Sequence, residues 1–347
     1  MTGEAGVARR LCYTDGMTSS PIRPDSSAST ELRSLGRSGL ATPRLVLGGN
    51  VFGWTACGEE AFRILDRFVE AGGTMIDTAD VYSAWVPGHQ GGESETLIGD
   101  WLRRRGSREG VLIASKVGML HRHGGGRLEP WRIERAAEAS LKRLGVEAID
   151  LYYAHQDDPE TPMEEVIQAF DRLVKAGKVR ALGASNFTAD RLGRALSLAG
   201  EMGMSCYEVL QNEYHLLERT KIEGELQRLC LAENIAMLPF YGLANGYLTG
   251  KYRSEADYGK SIRGDRMAKY LKGRGPAVLS VLDEIAADTG ATQAQIALAW
   301  VAARPAVAAP IASARTPEQL EELIGAMALR LTPAQMAQLD EVSGATS

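Results

Sequence analysis

Asp77, Tyr82, Lys116 and His155 are the residues of this chain whose types and spacing could do chemistry together. Asp77 closes the apolar pair Met75-Ile76, and Tyr82 follows five residues later. Lys116 and His155 close two further apolar runs. The steps from Asp77 to Lys116 and from Lys116 to His155 are each 39 residues, the length of one strand-helix unit. The spacing predicts an acid, an ammonium and an imidazole at one height on three consecutive strand ends, with a phenol on the loop beyond the first. A free phenol has a pKa of about 10 and is a reluctant proton donor at neutral pH. An ammonium about 4 Å away stabilises its phenolate by roughly 4 kcal/mol at an effective dielectric of 20, enough to pull the pKa well down before desolvation is subtracted. Asp77 would hold Lys116 in place and keep it charged, while His155 could hydrogen-bond a carbonyl oxygen and orient it. Such a site donates a proton to an oxygen as negative charge develops there, and requires neither metal nor covalent nucleophile.

The elements that must position this set alternate. Strand candidates are 45–48, 75–78, 111–116, 149–155, 179–185, 207–211, 236–240 and 308–313. Between them run amphipathic segments; Ala61, Ile64, Leu65 and Phe68 carry an i, i+3, i+4, i+7 stripe, and 133–144, 163–176 and 189–198 repeat it. Thr161-Pro162-Met163 reads as a helix start with a hydroxyl cap, and Gly72, Gly145 and Gly177 stand where helices should stop. Strict β-then-α order argues for a parallel sheet, and eight such units over about 300 residues favour a closed (β/α)8 barrel of the TIM type over an open doubly wound sheet. An open dinucleotide-binding sheet would carry G-x-G-x-x-G after its first strand; Leu47-Gly48-Gly49-Asn50-Val51-Phe52-Gly53 does not fit. Residues 31–40 read as a small hairpin turning at Gly36–Gly39, and 331–342 as a C-terminal amphipathic helix. Residues 1–30, rich in Ser, Thr, Pro, Asp and Gly, read as a disordered leader, with Met17 an alternative start. The rest, 31–347, is expected to form one domain.

Several stretches resemble the aldo-keto reductases: Thr74 to Tyr82, Ser94-Glu95-Thr96-Leu97-Ile98-Gly99, Ala114-Ser115-Lys116, Asp150 to His155, Gly183-Ala184-Ser185-Asn186-Phe187, Gln211-Asn212 and Gly246 to Tyr252. The resemblance runs from about Glu31 to Glu341. It implies a (β/α)8 barrel that binds NADPH without a Rossmann fold, leaves NADH use open, and reduces a small-molecule aldehyde or ketone. It further implies that Asp77, Tyr82, Lys116 and His155 form a catalytic tetrad with Tyr82 as general acid. Ser185, Asn186 and Gln211 would hold the carboxamide, Phe240 would stack on the nicotinamide, and Gly49, Asn50 and Asp77 would border the cofactor. Tyr241, Gly242, Leu243 and Lys251 would follow the pyrophosphate; Arg315, Gln319 and Glu322 would contact the 2′-phosphate and adenosine. Two positions depart from the family's pattern. Tyr241 replaces a serine, and Leu323 stands where an asparagine usually reads adenine. A cofactor-sensing regulatory subunit is the other role the resemblance allows, and the intact tetrad argues for catalysis.

Composition narrows the field. Of 347 residues 44% are hydrophobic and 24% charged, and the net charge of −5 disfavours a nucleic-acid role. Cys12, Cys57, Cys206 and Cys230 form no C-x-x-C pair, which fits a reducing, cytoplasmic setting without disulfides or structural zinc. His121-x-His123 beside three glycines reads as a flexible loop and not a metal pair, so no metal is expected. Trp54, and Trp85 in the inserted loop 83–92, could wall a substrate pocket. His215 stands on a rim loop, with cofactor contact and a structural role both open. Asp80 reads as a loop acid. The basic run Lys251, Arg253, Lys260, Arg263, Arg266, Lys269 is either a lid over phosphates or an ordinary charged loop.

Overall fold

In the computed structural model, which describes residues 31–120, 127–260 and 264–344, the chain opens with an antiparallel hairpin of β1 (Arg33–Ser34) and β2 (Ala41–Thr42). The expected leader and the His121/His123 pair lie outside the described residues. Eight parallel strands come next: β3 (Val46–Gly48), β4 (Met75–Asp77), β5 (Leu112–Val117), β6 (Ile149–Ala154), β7 (Val179–Ser185), β8 (Tyr207–Gln211), β9 (Ala236–Met237) and β10 (Ile311–Ala312). Their order is β10-β3-β4-β5-β6-β7-β8-β9. Met237 closes the ring: its N–H donates to Ala306 O at 2.7 Å, and its carbonyl accepts from Ala308 N at 2.9 Å. All eight strand candidates are present, several of them shorter than expected.

Among the described residues ten α-helices ring or cap the sheet, with one short α-helical turn: α1 (Gly58–Glu70), α2 (Glu93–Arg105), α3 (Pro130–Leu144), α4 (Met163–Lys175), α5 (Ala189–Met202), α6 (Glu225–Ala232), α7 (Ala268–Leu271, the short turn), α8 (Gly275–Thr289), α9 (Gln293–Ala302), α10 (Pro317–Ala328) and α11 (Pro333–Ser343). Helix α3 ends where expected: Gly145 caps it at φ 67°, a left-handed conformation that disfavours residues bearing a Cβ. Helix α4 starts differently. Its N-cap is Pro162, and the Thr161 hydroxyl instead donates to Asp158 Oδ2 at 2.6 Å. The loop acid Asp158 already gathers the Leu128 and Glu160 N–H groups, and it takes the hydroxyl the helix would have used.

The core has two layers. Val46, Met75, Ala114, Leu151, Tyr153, Ala181 and Val209 fill the barrel interior. Ile76, Ile113, Tyr152, Leu182 and Leu210 face outward into the larger layer beneath the helices. Side chains alternate with period two along a strand, so each interior residue sends the residue two places on to the same side. Met75 inside puts Asp77 inside; Ala114 puts Lys116 there, Tyr153 puts His155, and Val209 puts Gln211. The interior is tight: a Cβ on Gly183 would stand 2.3 Å from the Tyr153 ring.

The long β9–β10 connection holds the basic run. Arg253 grips Asp283 with two bonds of 2.8 Å, and Lys260 pairs with Asp257 at 2.8 Å. These two cations are spent on local acids, as an ordinary charged loop would spend them. Among the described residues no helix is long and apolar enough to cross a membrane.

Candidate active site

The C-terminal mouth of the barrel gathers the interior-facing strand ends. Lys116, fully buried, donates to Asp77 Oδ2 at 2.6 Å, to the Thr78 carbonyl at 2.7 Å and to the Tyr82 hydroxyl at 3.1 Å. An ammonium has three N–H donors, and all three are used. The Tyr82 oxygen therefore accepts from Lys116 and keeps its own proton for another acceptor. On its far side Asp77 takes a 2.9 Å bond from Gln211 Nε2 through Oδ1. Two contacts hold the Tyr82 backbone: its carbonyl accepts from Gly92 N at 3.0 Å and from Ser94 N at 3.2 Å.

Desolvation decides the balance at Tyr82, although Lys116 lowers its pKa as expected. Burial raises the Tyr82 pKa, Lys116 lowers it and Asp77 raises it again, and the net direction is upward. Desolvation and the carboxylate behind the ammonium outweigh the ammonium itself, so Tyr82 rests as a neutral phenol. Lys116 loses stabilisation by burial, but Asp77 and Tyr82 more than restore it and its pKa is raised. Burial first, and Lys116 second, push His155 well below the usual histidine value. It is a neutral imidazole, and its buried Nδ1 has no hydrogen-bond partner among the described residues.

The expected cofactor contacts divide into two groups. The first joins the hydrogen-bond network around Asp77 and His155: Ser185 Oγ donates to Gln211 O at 2.8 Å, and Asn186 Nδ2 donates to His155 O at 2.9 Å and to Ser185 Oγ at 3.1 Å. Gly49 N donates to Asp77 O at 2.7 Å, and Asn50 Oδ1 accepts from Ser313 Oγ at 2.6 Å. Gln211 thus gives one of its two amide N–H donors to Asp77, a partnership the sequence did not disclose.

The second group stands apart. Phe240 and Tyr241 form an edge-to-face pair 4.9 Å apart, with Tyr241 exposed at φ 59°, while Gly242 is buried against Leu298 and Leu243 is half-buried. Lys251 lies 5.3 Å over the Tyr252 ring. Arg315 immediately precedes Thr316, the N-cap of α10, and its guanidinium has no partner among the described residues. Its backbone N–H donates to Gln319 Oε1 at 3.0 Å. Half-buried Glu322 offers its carbonyl to Gln295 Nε2 at 3.1 Å, and Leu323 is buried in the core beneath the helices.

Trp54 and Trp85 stand together beside the phenol. Their rings are 5.6 Å apart, Trp85 is 5.8 Å from Tyr82, and Tyr82 is 5.9 Å from His155. Two other sequence readings are settled by burial. His215 is fully buried, with Nδ1 accepting from Leu217 N at 3.1 Å and Nε2 facing Glu213 at 3.3 Å; both ring nitrogens serve the loop. Asp80 lies in the loop as read, but it is only 4% exposed, near Glu95, Arg143 and Tyr152. Nothing in the local sequence marks that burial, which comes from α2 and α3 packing over the loop.

Fold and site together define a closed parallel (β/α)8 barrel with a lysine-supported phenol at its C-terminal mouth. The model of the aldo/keto reductase family matches residues 44–343. The chain is 34% identical over 325 residues to the uncharacterized oxidoreductase YrpG of Bacillus subtilis, spanning 90% of this chain and 95% of that protein. It is 31% identical over 286 residues to the NADP(+)-designated aldo-keto reductase yakc of Schizosaccharomyces pombe, spanning 80% and 81%. It is also 31% identical over 322 residues to norsolorinic acid reductase stcV of Emericella nidulans, spanning 87% and 79%. The chain belongs to the aldo/keto reductase family.

Proposed function

We propose that the chain is an NADPH-dependent carbonyl reductase, reversible as an alcohol dehydrogenase, with Tyr82 as general acid. The observation that carries this reading is the 3.1 Å bond from Lys116 Nζ to the Tyr82 oxygen, with Asp77 fixed behind the ammonium. Because the phenol oxygen is the acceptor in that bond, its proton is available to a carbonyl oxygen at the mouth. Charge that appears on Tyr82 as the proton leaves forms beside a buried ammonium, where the low dielectric makes the attraction large. A neutral His155 can donate one hydrogen bond to the same carbonyl oxygen without adding a competing cation. Trp54 and Trp85 stand beside the phenol, where they could wall the substrate's approach.

The residues present fit a phosphorylated nicotinamide cofactor. Arg315 offers a guanidinium, unpaired among the described residues, beside the N-terminus of α10, a combination suited to a phosphate. Ser185 and Asn186 line the mouth next to His155, and the family relative designated for NADP(+) supports the same choice. When bound, the cofactor supplies hydride to the carbonyl carbon; the chain's own residues supply the proton and the orientation.

The test is a screen for NADPH oxidation across a broad panel of aldehydes, ketones and ketoses. Turnover with at least one class is expected. Tight NADPH binding with no oxidation by any carbonyl would instead favour the cofactor-sensing role.

A further inference from the structure

The loop 83–91 carries Trp85 to the mouth, and Trp85 is 47% exposed, so burial alone does not hold its ring in place. One carboxylate at the start of α2 bridges the two ends of the loop. Glu93 Oε1 accepts from Gln90 N at 2.6 Å and from Gly91 N at 3.2 Å. Glu93 Oε2 accepts from Ser83 N at 3.2 Å and from Gly91 N at 2.9 Å. One side chain therefore joins the loop's first residue to its last two.

The same residue touches the other half of the aromatic wall. A Cβ on Gly53, the residue before Trp54, would stand 3.0 Å from Glu93 Cβ. Ser83 Oγ lies 3.4 Å from Gly53 O and 3.1 Å from His89 Nδ1, tying the loop's base to the Trp54 segment. Burial opposes the charge on Glu93, but the N–H groups around it, with His89, bring its pKa below the ordinary glutamate value. It is a carboxylate at neutral pH.

We propose that Glu93 is a positioning residue for substrate recognition: by bridging both ends of the loop it sets Trp85 against Trp54 and Tyr82, and so favours planar aryl carbonyl substrates over short aliphatic ones. Two indoles and a phenol in edge contact offer flat apolar faces to such a ring. The proposal deepens the reductase reading and rests on it for its kinetic arm. It needs both oxygens. An amide at this position would aim an NH2 group at backbone N–H donors, so glutamine cannot bridge as glutamate does. Tyr82 has supports of its own, from Gly92 N, Ser94 N and Lys116. Loss of the Glu93 carboxylate should therefore release Trp85 more than it disturbs proton donation.

The experiment compares Glu93→Ala, Glu93→Gln, Trp85→Ala and the double variant Glu93→Ala/Trp85→Ala in the full chain. With an aryl aldehyde, each should lose about tenfold in kcat/KM, mostly through KM, while in the two single Glu93 variants kcat for a short aliphatic aldehyde falls less than about threefold. The double variant should be no worse than Trp85→Ala alone, because both changes remove one interaction. Acrylamide quenching, with Trp85→Ala as the baseline, should show the Trp85 indole more accessible in both Glu93 variants. Wild-type selectivity in Glu93→Gln, additive losses in the double variant, or unchanged quenching would each overturn the bridge. If the wild type reduces no carbonyl, the reductase reading fails, and the quenching comparison still decides whether Glu93 holds Trp85.

Discussion

Gln211 donates its side-chain amide to Asp77 across the barrel interior, at 2.9 Å and over 134 residues of sequence. Strands β4 and β8 lie four places apart in an eight-stranded ring, on opposite walls. The Asp77 carboxylate is thus pinned from the neighbouring strand by Lys116 and from the opposite wall by Gln211. This bond explains how the ammonium is aimed at Tyr82, because a carboxylate held at both oxygens cannot rotate away.

Replacing Gln211 by Leu should leave Asp77 Oδ1 without its donor. Loss of one hydrogen bond to a charged group costs about 1.5–3 kcal/mol, so kcat should fall roughly 10- to 100-fold. The cofactor KM should change little. A rise in the cofactor KM with kcat preserved would show instead that the Gln211 amide serves the carboxamide.

Lys116 and Asp77 form a pair with almost no solvent contact, the lysine side chain 0% and the aspartate 4% exposed. Removing one member strands the other charge. Lys116→Met and Asp77→Leu should each lower stability by about 3–5 kcal/mol in denaturant unfolding. The double variant should recover part of that stability and none of the activity. Equal instability in all three would show that the pair's cost is not the stranded charge.

Asp80 gives the folded state a pH dependence. Burial first, then Glu95, push its carboxyl up to about 8, against the opposing pull of Arg143, the Val81 N–H and Lys116. Its folded pKa lies above the unfolded one, so folding binds a proton between the two. The stability associated with the protonated carboxyl is complete below the unfolded value of 3.8 and is lost as pH rises to about 8. Asp80→Asn should flatten the decline in melting temperature between pH 5 and 8, with the largest gain over wild type at the alkaline end. Parallel curves for the two proteins would contradict the assignment.

The barrel and the meeting of Asp77, Tyr82, Lys116 and His155 at its mouth were legible because they rest on period and spacing. Met75 and Asp77 share a face by alternation, and the 39-residue step carries the same face to Lys116. Other features depend on distant packing. The Gln211–Asp77 bond needs the ring to close, Asp80 is buried by helices that come after it in the chain, and Thr161 was drawn from its helix by an acid three residues earlier. The net direction of the Tyr82 pKa was not legible for a related reason: the sequence does not show how much water the fold removes, although Lys116 lowers that pKa as expected.

Arg315 should discriminate between the two nicotinamide cofactors. Arg315→Ala should weaken NADPH binding by about tenfold or more and NADH binding far less, since only the former carries the 2′-phosphate that a guanidinium can fork onto. Titration by cofactor fluorescence measures both. Equal loss for the two cofactors would remove Arg315 from that role.

The proton on Tyr82 is the centre of the account, and Tyr82→Phe tests it most directly. The substitution keeps the ring beside Trp85 and His155 and deletes only the hydroxyl that Lys116 supports. With a carbonyl substrate that the wild type reduces, kcat should fall by about two to four orders of magnitude while NADPH binding is retained. Turnover as fast as wild type would contradict the account.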